Sequence, residues 1–166
     1  VGENLVKHLT EEGATVIIND INEDRLQEVS KMYDVEIMLG DAIYDTEMDI
    51  YAPCALGATV NDDTLSRLKC SIIAGAANNQ LEDEKAHGKI VKSRGIVYAP
   101  DFLINAGGLI NVYSELHGYD REQALQRTRK IYDNTLEILL KAEQEDITTH
   151  EAALKMAELR IANAQS

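Results

Sequence analysis

Four short stretches of this chain bring small residues together, and each follows an apolar run. They are Asn19-Asp20-Ile21, Pro53-Cys54-Ala55-Leu56-Gly57, Gly75-Ala76-Ala77-Asn78-Asn79, and Pro100-Asp101 leading to Asn105-Ala106-Gly107-Gly108. Three carry a carboxylate or a side-chain amide. A carboxylate accepts hydrogen bonds from paired sugar hydroxyls, and Asn offers a donor and an acceptor that suit a ribose hydroxyl or a carboxamide. Small neighbours let a flat ligand approach the backbone. Other chemistries lack support. No G-x-S-x-G, Walker or H-E-x-x-H motif occurs. His8, His87, His117 and His150 lack metal-ligand spacing and are expected at surfaces or helix ends, so no metal site is expected. Glu11-Glu12, Asp62-Asp63 and Glu82-Asp83-Glu84 read as solvated helix ends.

The elements that must position these groups alternate between apolar runs and helical patterns, which indicates an α/β fold with a parallel sheet. Strands are expected at Val16 to Ile18, near Glu36 to Met38, at Met48 to Ala52, at Ser71 to Ala74 and at Ile96 to Ala99. The first helix should turn Leu5 and Leu9 inward and stop at Gly13. Asn22 should cap the next, leaving Asp20 free, with Arg25 beyond its first turn. Short helices are expected from Asn61 to Lys69 and from Glu82 to Ser93. From Asn105 the chain reads as all helical: one segment to Leu116, a long helix from Asp120 to Glu145, and a last one begun by Thr148-x-x-Glu151. Asp120 and Gln123 have capping-box spacing. The long helix should bury Leu125, Tyr132, Leu136 and Leu139, and the last should run through Leu154 and Ile161. Two long helices after the sheet suggest packing on a partner domain or a neighbouring subunit.

The spacing of two residues sharpens the reading. Gly2 sits early in a helix, and Asp20 lies 18 residues later at the end of the Val-Ile-Ile strand. A dinucleotide-binding βαβ unit has a glycine there for close helix–strand approach, and an acid about 20 residues on for the adenosine ribose. Asp20 would also repel a 2′-phosphate, by at most about 4 kcal/mol at 4 Å and an effective dielectric of 20. NAD is therefore favoured over NADP. The earlier strand and glycines of the motif are expected before Val1. In a 3-2-1-4-5-6 order that strand is central. The expected fold class is thus a Rossmann-like, mostly parallel sheet lacking its first (central) strand, followed by C-terminal helices. The Val16 and Ile50 strands would lose their shared neighbour, and the isolated 166 residues are expected to be poorly stable.

Composition narrows the class further. The net charge of −13 argues against nucleic-acid binding, which wants a basic face. No apolar run approaches the ~20 residues of a membrane span. Cys54 and Cys70 are too few for a disulfide framework and read as reduced structural thiols, consistent with a cytoplasmic setting.

Longer stretches carry a resemblance. Ala52-Pro53-Cys54-Ala55-Leu56-Gly57, Gly75 through Leu81, and Gly95-Ile96-Val97-Tyr98-Ala99-Pro100-Asp101 through Ile104-Asn105-Ala106-Gly107-Gly108-Leu109-Ile110-Asn111-Val112 resemble the C-terminal nucleotide domain of the Glu/Leu/Phe/Val amino-acid dehydrogenases. Asp20-Ile21-Asn22 and Ile131-Tyr132-Asp133-Asn134 add to it, and the likeness is nearest to the leucine-acting members. It covers essentially the whole chain. The resemblance implies a partial NAD-binding domain over residues 1–166, with a Rossmann-like portion at 1–118 and helices at 119–166. It implies cofactor contacts at Gly2, Asp20, Ile21, the Cys54-Ala55 backbone, Asn78 beside the nicotinamide ribose, and Asn105 at the nicotinamide end. Leu109 and Val112 would wall the substrate pocket. Leu109 stands where the family pattern has valine, and the extra methylene trims the pocket by an amount usually worth about 1–3 kcal/mol.

The implied reaction is oxidative deamination of branched-chain L-amino acids to 2-oxo acids and ammonium, by a homo-oligomer. Its catalytic lysines belong to a preceding substrate domain, so no catalytic residue is expected here and the fragment alone should be inactive. The alternative is a non-catalytic NAD-binding sensor or scaffold module, favoured by that same lack of a catalytic group.

Overall fold

The computed structural model describes residues 1–116 and 118–164. His117 therefore lies outside the described residues.

Alternating helices and strands occupy the first two thirds. They are α1 (Gly2–Glu11), β1 (Val16–Ile18), α2 (Glu23–Met32), β2 (Val35–Ile37), a 3-10 helix (Gly40–Asp45), β3 (Ile50–Tyr51), α3 (Asp62–Arg67), β4 (Ile72–Ile73), α4 (Glu84–Ser93) and β5 (Val97–Tyr98). Four helices follow: α5 (Asp101–Ile104), α6 (Gly107–Leu116), α7 (Arg121–Glu145) and α8 (Thr149–Ala164). Local chemistry sets the boundaries. Gly13 and Gly95 take positive φ just after α1 and α4, which glycine adopts without a Cβ penalty. Asn22, Asn61 and Asp83 cap α2, α3 and α4 through side-chain oxygens. The 3-10 turn at Gly40–Asp45 has no apolar periodicity and was not expected.

Among the described residues all ladders are parallel, in two sheets. β1 pairs with β2, Val16 opposite Val35, and β3-β4-β5 form a second sheet with Ile50 opposite Ile72 and Ile72 opposite Val97. Among the described residues no ladder joins β1 to β3, so the break falls between the Val16 and Ile50 strands as expected. Each sheet has its own core. Val6, Val16, Ile18, Leu26 and Val29 form the smaller, with Leu9 packed on it; Val6, rather than Leu5, is the buried position of α1. Tyr51, Val60, Leu65, Leu68, Ile73, Leu81, Val91 and Tyr98 belong to the larger. Val60 and Ile73 are fully buried there, each worth about 1.5–3 kcal/mol.

The C-terminal helices correct two expectations. Leu125, Tyr132 and Leu136 of α7 are exposed, while α8 runs through Leu154 and Ile161 as expected. The buried residues of α7 are instead Ala124, Ile138 and Ala142, of which Ile138 and Ala142 pack against Ala152, Ala153 and Met156 of α8. Small side chains let the two helix backbones approach, which turns the larger residues outward. Of the two capping boxes expected, one forms and the other differs. Thr148 and Glu151 form a reciprocal box, each backbone N–H donating to the other's side chain at 3.0 and 3.2 Å. Asp120 caps α7, but the Gln123 amide donates to the Asp120 carboxylate at 3.0 Å rather than accepting from its backbone.

Candidate functional site

Parallel strands deliver their carboxyl ends to one side, and in the β3-β4-β5 sheet the loops there are laced together. The Ala77 N–H donates to the Pro53 carbonyl at 2.9 Å, the Ala58 N–H to Asn79 at 2.6 Å, and the Val60 N–H to Gln80 at 3.0 Å. A Cβ at Gly75 would lie 2.1 Å from the Pro53 carbonyl oxygen, and one at Gly57 would lie 2.6 Å from that of Asn78. These two glycines therefore serve loop-on-loop packing, rather than the ligand approach their sequence suggested. Ala58 and Asn79 hold φ of 57° and 52°, a left-handed geometry that costs a non-glycine residue about 1–2 kcal/mol.

This lacework presents one amide pair. The Asn105 side chain donates from Nδ2 to Oδ1 of Asn78 at 2.6 Å, joining the loop after β4 to the end of α5. Asn78 is exposed and Asn105 half-buried. The helix expected from Asn105 to Leu116 is α6, and a short helix not expected from the sequence, α5, precedes it, with Asn105 closing α5 by donating its N–H to the Asp101 carbonyl at 2.9 Å. Leu109 and Val112 follow on α6, 73% and 53% exposed.

Asp20 lies just beyond β1, exposed, and Ile21 is 98% exposed. Asp20 is less free than the sequence implied, because its Oδ1 accepts the Asn22 N–H at 2.9 Å; its other oxygen has no partner among the described residues. Arg25 is in the first turn of α2, not beyond it, since its backbone N–H donates to the Asn22 cap. Its guanidinium is held by Glu28 and by Glu3 of α1. Those carboxylates, the Glu28 hydrogen bond foremost, raise its pKa. A contact path then runs from Asp20 through α2 to the amino end of α1, where a Cβ on Gly2 would meet Cys54 Cβ at 3.5 Å. That is ordinary contact, so Gly2 has no close-approach role among the described residues. Cys54 leads into exposed Ala55.

Two buried residues were missed. Gln80 is fully buried and Asp101 is 6% exposed, and both lie behind the amide pair. An acid after a proline at a helix start reads as an ordinary first-turn residue, and nothing in the spacing shows that either is buried. Tyr98, whose hydroxyl accepts the Asp101 N–H at 3.4 Å, has its pKa pushed up by burial and then by the Asp101 charge.

The remaining candidates do not form a second site. His87 is buried, not at a surface: Nδ1 accepts the Asp83 N–H at 2.9 Å, and Nε2 lies 3.3 Å from Asp62. His150, also largely buried, lies 3.1 Å from Glu84 and edge-on to Phe102. His8 is exposed beside Glu11. No group of three His, Cys, Asp or Glu among the described residues could hold a metal ion. Both cysteines are free thiols, Cys70 buried with its pKa raised by desolvation. The acidic clusters are exposed at helix starts and ends. Two surface hollows, one lined by Asp62, Leu65 and Arg94 and one between α7 and α8, lie away from the amide pair.

Known proteins are similar to this chain in sequence and in fold. The Glutamate/Leucine/Phenylalanine/Valine dehydrogenase family model matches residues 2–166. Leucine dehydrogenase of Thermoactinomyces intermedius is 50% identical over 161 residues, covering 97% of this chain and 44% of that protein. Phenylalanine dehydrogenase of Bacillus thermotolerans is 46% identical over 166 residues, covering 97% and 43%. The crystal structure of L-tryptophan dehydrogenase from Nostoc punctiforme superposes with a TM-score of 0.96 at 45% identity, covering 98% of this chain and 49% of that one. The chain thus spans about half the length, or a little less, of the relatives it matches. With the match running through every element of the rim, the chain belongs to the glutamate/leucine/phenylalanine/valine dehydrogenase family.

Proposed function

We propose that this chain is the dinucleotide-binding part of an NAD-dependent amino-acid dehydrogenase that deaminates branched-chain L-amino acids to 2-oxo acids and ammonium. The observation that carries the reading is the Asn78–Asn105 amide pair, held at 2.6 Å where the ends of β4 and β5 meet. The residues present fit a dinucleotide. Asp20 offers an oxygen without a partner for the adenosine ribose. The amino end of α1, which has no side-chain cap, faces Cys54 and suits a pyrophosphate. When bound, a nicotinamide would supply a hydride acceptor for oxidation at the amino acid's α-carbon. The chain's own residues orient that exchange: Asn78 and Asn105 fix the ribose and carboxamide, and exposed Leu109 and Val112 wall the substrate side chain. Asp20 disfavours a 2′-phosphate, and Arg25, bound by two carboxylates, offers it no counter-charge.

In this reading the two sheets are the halves of one Rossmann-like fold, residues 1–118, completed by a central strand that precedes this segment. The domain's helical portion, given by the sequence as 119–166, comprises α7 and α8 among the described residues. The catalytic lysines stand on a separate substrate domain, so this segment alone is inactive. The exposed apolar residues of α7 and α8 fit a face that meets that domain or another subunit of a homo-oligomer. Among the described residues no helix is long and apolar enough to cross a membrane, and the free thiols suit a cytoplasmic enzyme.

The full-length protein should reduce NAD with L-leucine, L-valine and L-isoleucine at higher kcat/KM than with L-phenylalanine or L-tryptophan. Preference for an aromatic substrate would overturn the branched-chain assignment. Failure with every L-amino acid would overturn the dehydrogenase reading.

A further inference from the structure

Behind the exposed amide pair lies a second, buried connection between the same two loops. The Asp101 carboxylate accepts the Gln80 N–H through Oδ2 at 3.1 Å and the Phe102 N–H through Oδ1 at 2.7 Å. Gln80 in turn spans its own loop. Its Nε2 donates to the Gly75 carbonyl at 2.5 Å and the Ala77 carbonyl at 3.0 Å, and Asn78 is the next residue of that loop. On its other side, Asp101 accepts the Asn105 N–H on its backbone carbonyl at 2.9 Å. Asp101 is therefore bonded at one end to the loop that carries Asn78 and at the other to Asn105 itself.

Gln80 is not an economical way to fill this space. Its Oε1 is buried without a hydrogen-bond partner among the described residues, which a folded protein rarely tolerates. Methionine has similar length and would leave no orphan acceptor. What the amide does, and methionine cannot, is hold two carbonyls of one loop at a fixed separation.

We infer that Asp101 and Gln80 are positioning residues, a buried clip that sets the spacing and orientation of Asn78 and Asn105 and thereby the affinity for the nicotinamide end of the dinucleotide. This rests on the dinucleotide reading above. The clip itself touches neither cofactor nor substrate.

The test uses the full-length enzyme with L-leucine and NAD, plus fluorescence titration with NADH, on Asp101→Asn and Gln80→Met, each alone and with Asn78→Ala. Asp101→Asn keeps shape but turns one acceptor towards an N–H as a donor; Gln80→Met keeps volume and guards against misfolding of the first variant. Expected is a rise of about tenfold in dinucleotide KM and in NADH dissociation constant, about 1.4 kcal/mol. The amino-acid KM should stay within about twofold, and in the Asn78→Ala background the clip variants should add less than about twofold. A purely structural role lowers the active fraction, and so the apparent kcat, and leaves dinucleotide KM alone. That outcome, or a full tenfold effect without Asn78, overturns the inference while the dinucleotide reading stands. A wild-type enzyme that fails to bind NADH overturns both.

Discussion

The two sheets deliver their strand ends in contrasting ways. On the β3-β4-β5 side, three loops are tied by backbone hydrogen bonds, by glycines pressed against neighbouring carbonyls and by buried Asp101 and Gln80. On the β1-β2 side, Asp20 and Ile21 stand exposed on a short turn held by the Asn22 N–H. The contrast matches the tasks proposed for each. Orienting a reacting ring demands fixed geometry, because misplacement by about 1 Å can cost about a hundredfold in rate. Gripping a sugar needs only a carboxylate of the right charge within reach.

The largest expected contrast comes from adding one methyl group on each side. Gly75→Ala drives a Cβ into the Pro53 backbone, which cannot move aside, and should destabilise by about 3 kcal/mol in chemical denaturation of the full-length protein. Gly2→Ala meets Cys54 at ordinary contact distance and gains helix propensity, so its effect should stay within about 1 kcal/mol. Equal losses at both sites would erase the distinction between a laced and an open side.

A change of charge should act the other way round. Asp20→Ser should leave stability within about 0.5 kcal/mol, as an exposed substitution does. It should raise the preference for NADP relative to NAD by about tenfold, because the carboxylate that repels a 2′-phosphate is gone. An unchanged cofactor ratio in steady-state kinetics would remove the adenosine role from Asp20.

The smallest effect lies outside both sides, where α7 meets α8. Hydrogen bonds from Lys141, then Lys155, draw the Glu145 carboxyl from 4.5 down to about 2. A carboxyl depressed in the folded state stabilises above its unfolded pKa and loses that contribution as pH falls through the folded one. The melting-temperature gap between wild type and Glu145→Gln should therefore be small at pH 7 and close between about pH 4.5 and pH 2. Because the site is solvated, the gap should also shrink with salt. A gap unchanged down to pH 2 would show that the pair does not act through charge.

The same contrast governs what could be read in the sequence. Alternation of helix and strand was legible because apolar runs such as Val16 to Ile18 and Ser71 to Ala74 are bounded by polar residues, glycine or proline. Asn22, Asn61 and Thr148 announced their caps by residue type and spacing. The exposed strand end at Asp20 was legible too, although the Asn22 N–H bonded to its carboxylate was not. What stayed hidden depends on packing. The α7 pattern has two stripes at helical spacing, and the larger residues Leu125, Tyr132 and Leu136 look like the core; small Ala142 is buried because it lets α8 come close. Gln80 sits in a polar stretch and Asp101 at a helix start, and only the approach of two loops shows that they are buried and paired. Gly57 and Gly75 looked like openings for a ligand and are instead filled by backbone.

A crystal structure of the full-length protein with NAD bound bears most directly on the claim that one dinucleotide joins the two sides. The expected density places the adenosine ribose on the Asp20 carboxylate and the nicotinamide beside Asn78 and Asn105. A dinucleotide lying elsewhere, or one that reaches the amide pair with its ribose out of reach of Asp20, would contradict the account.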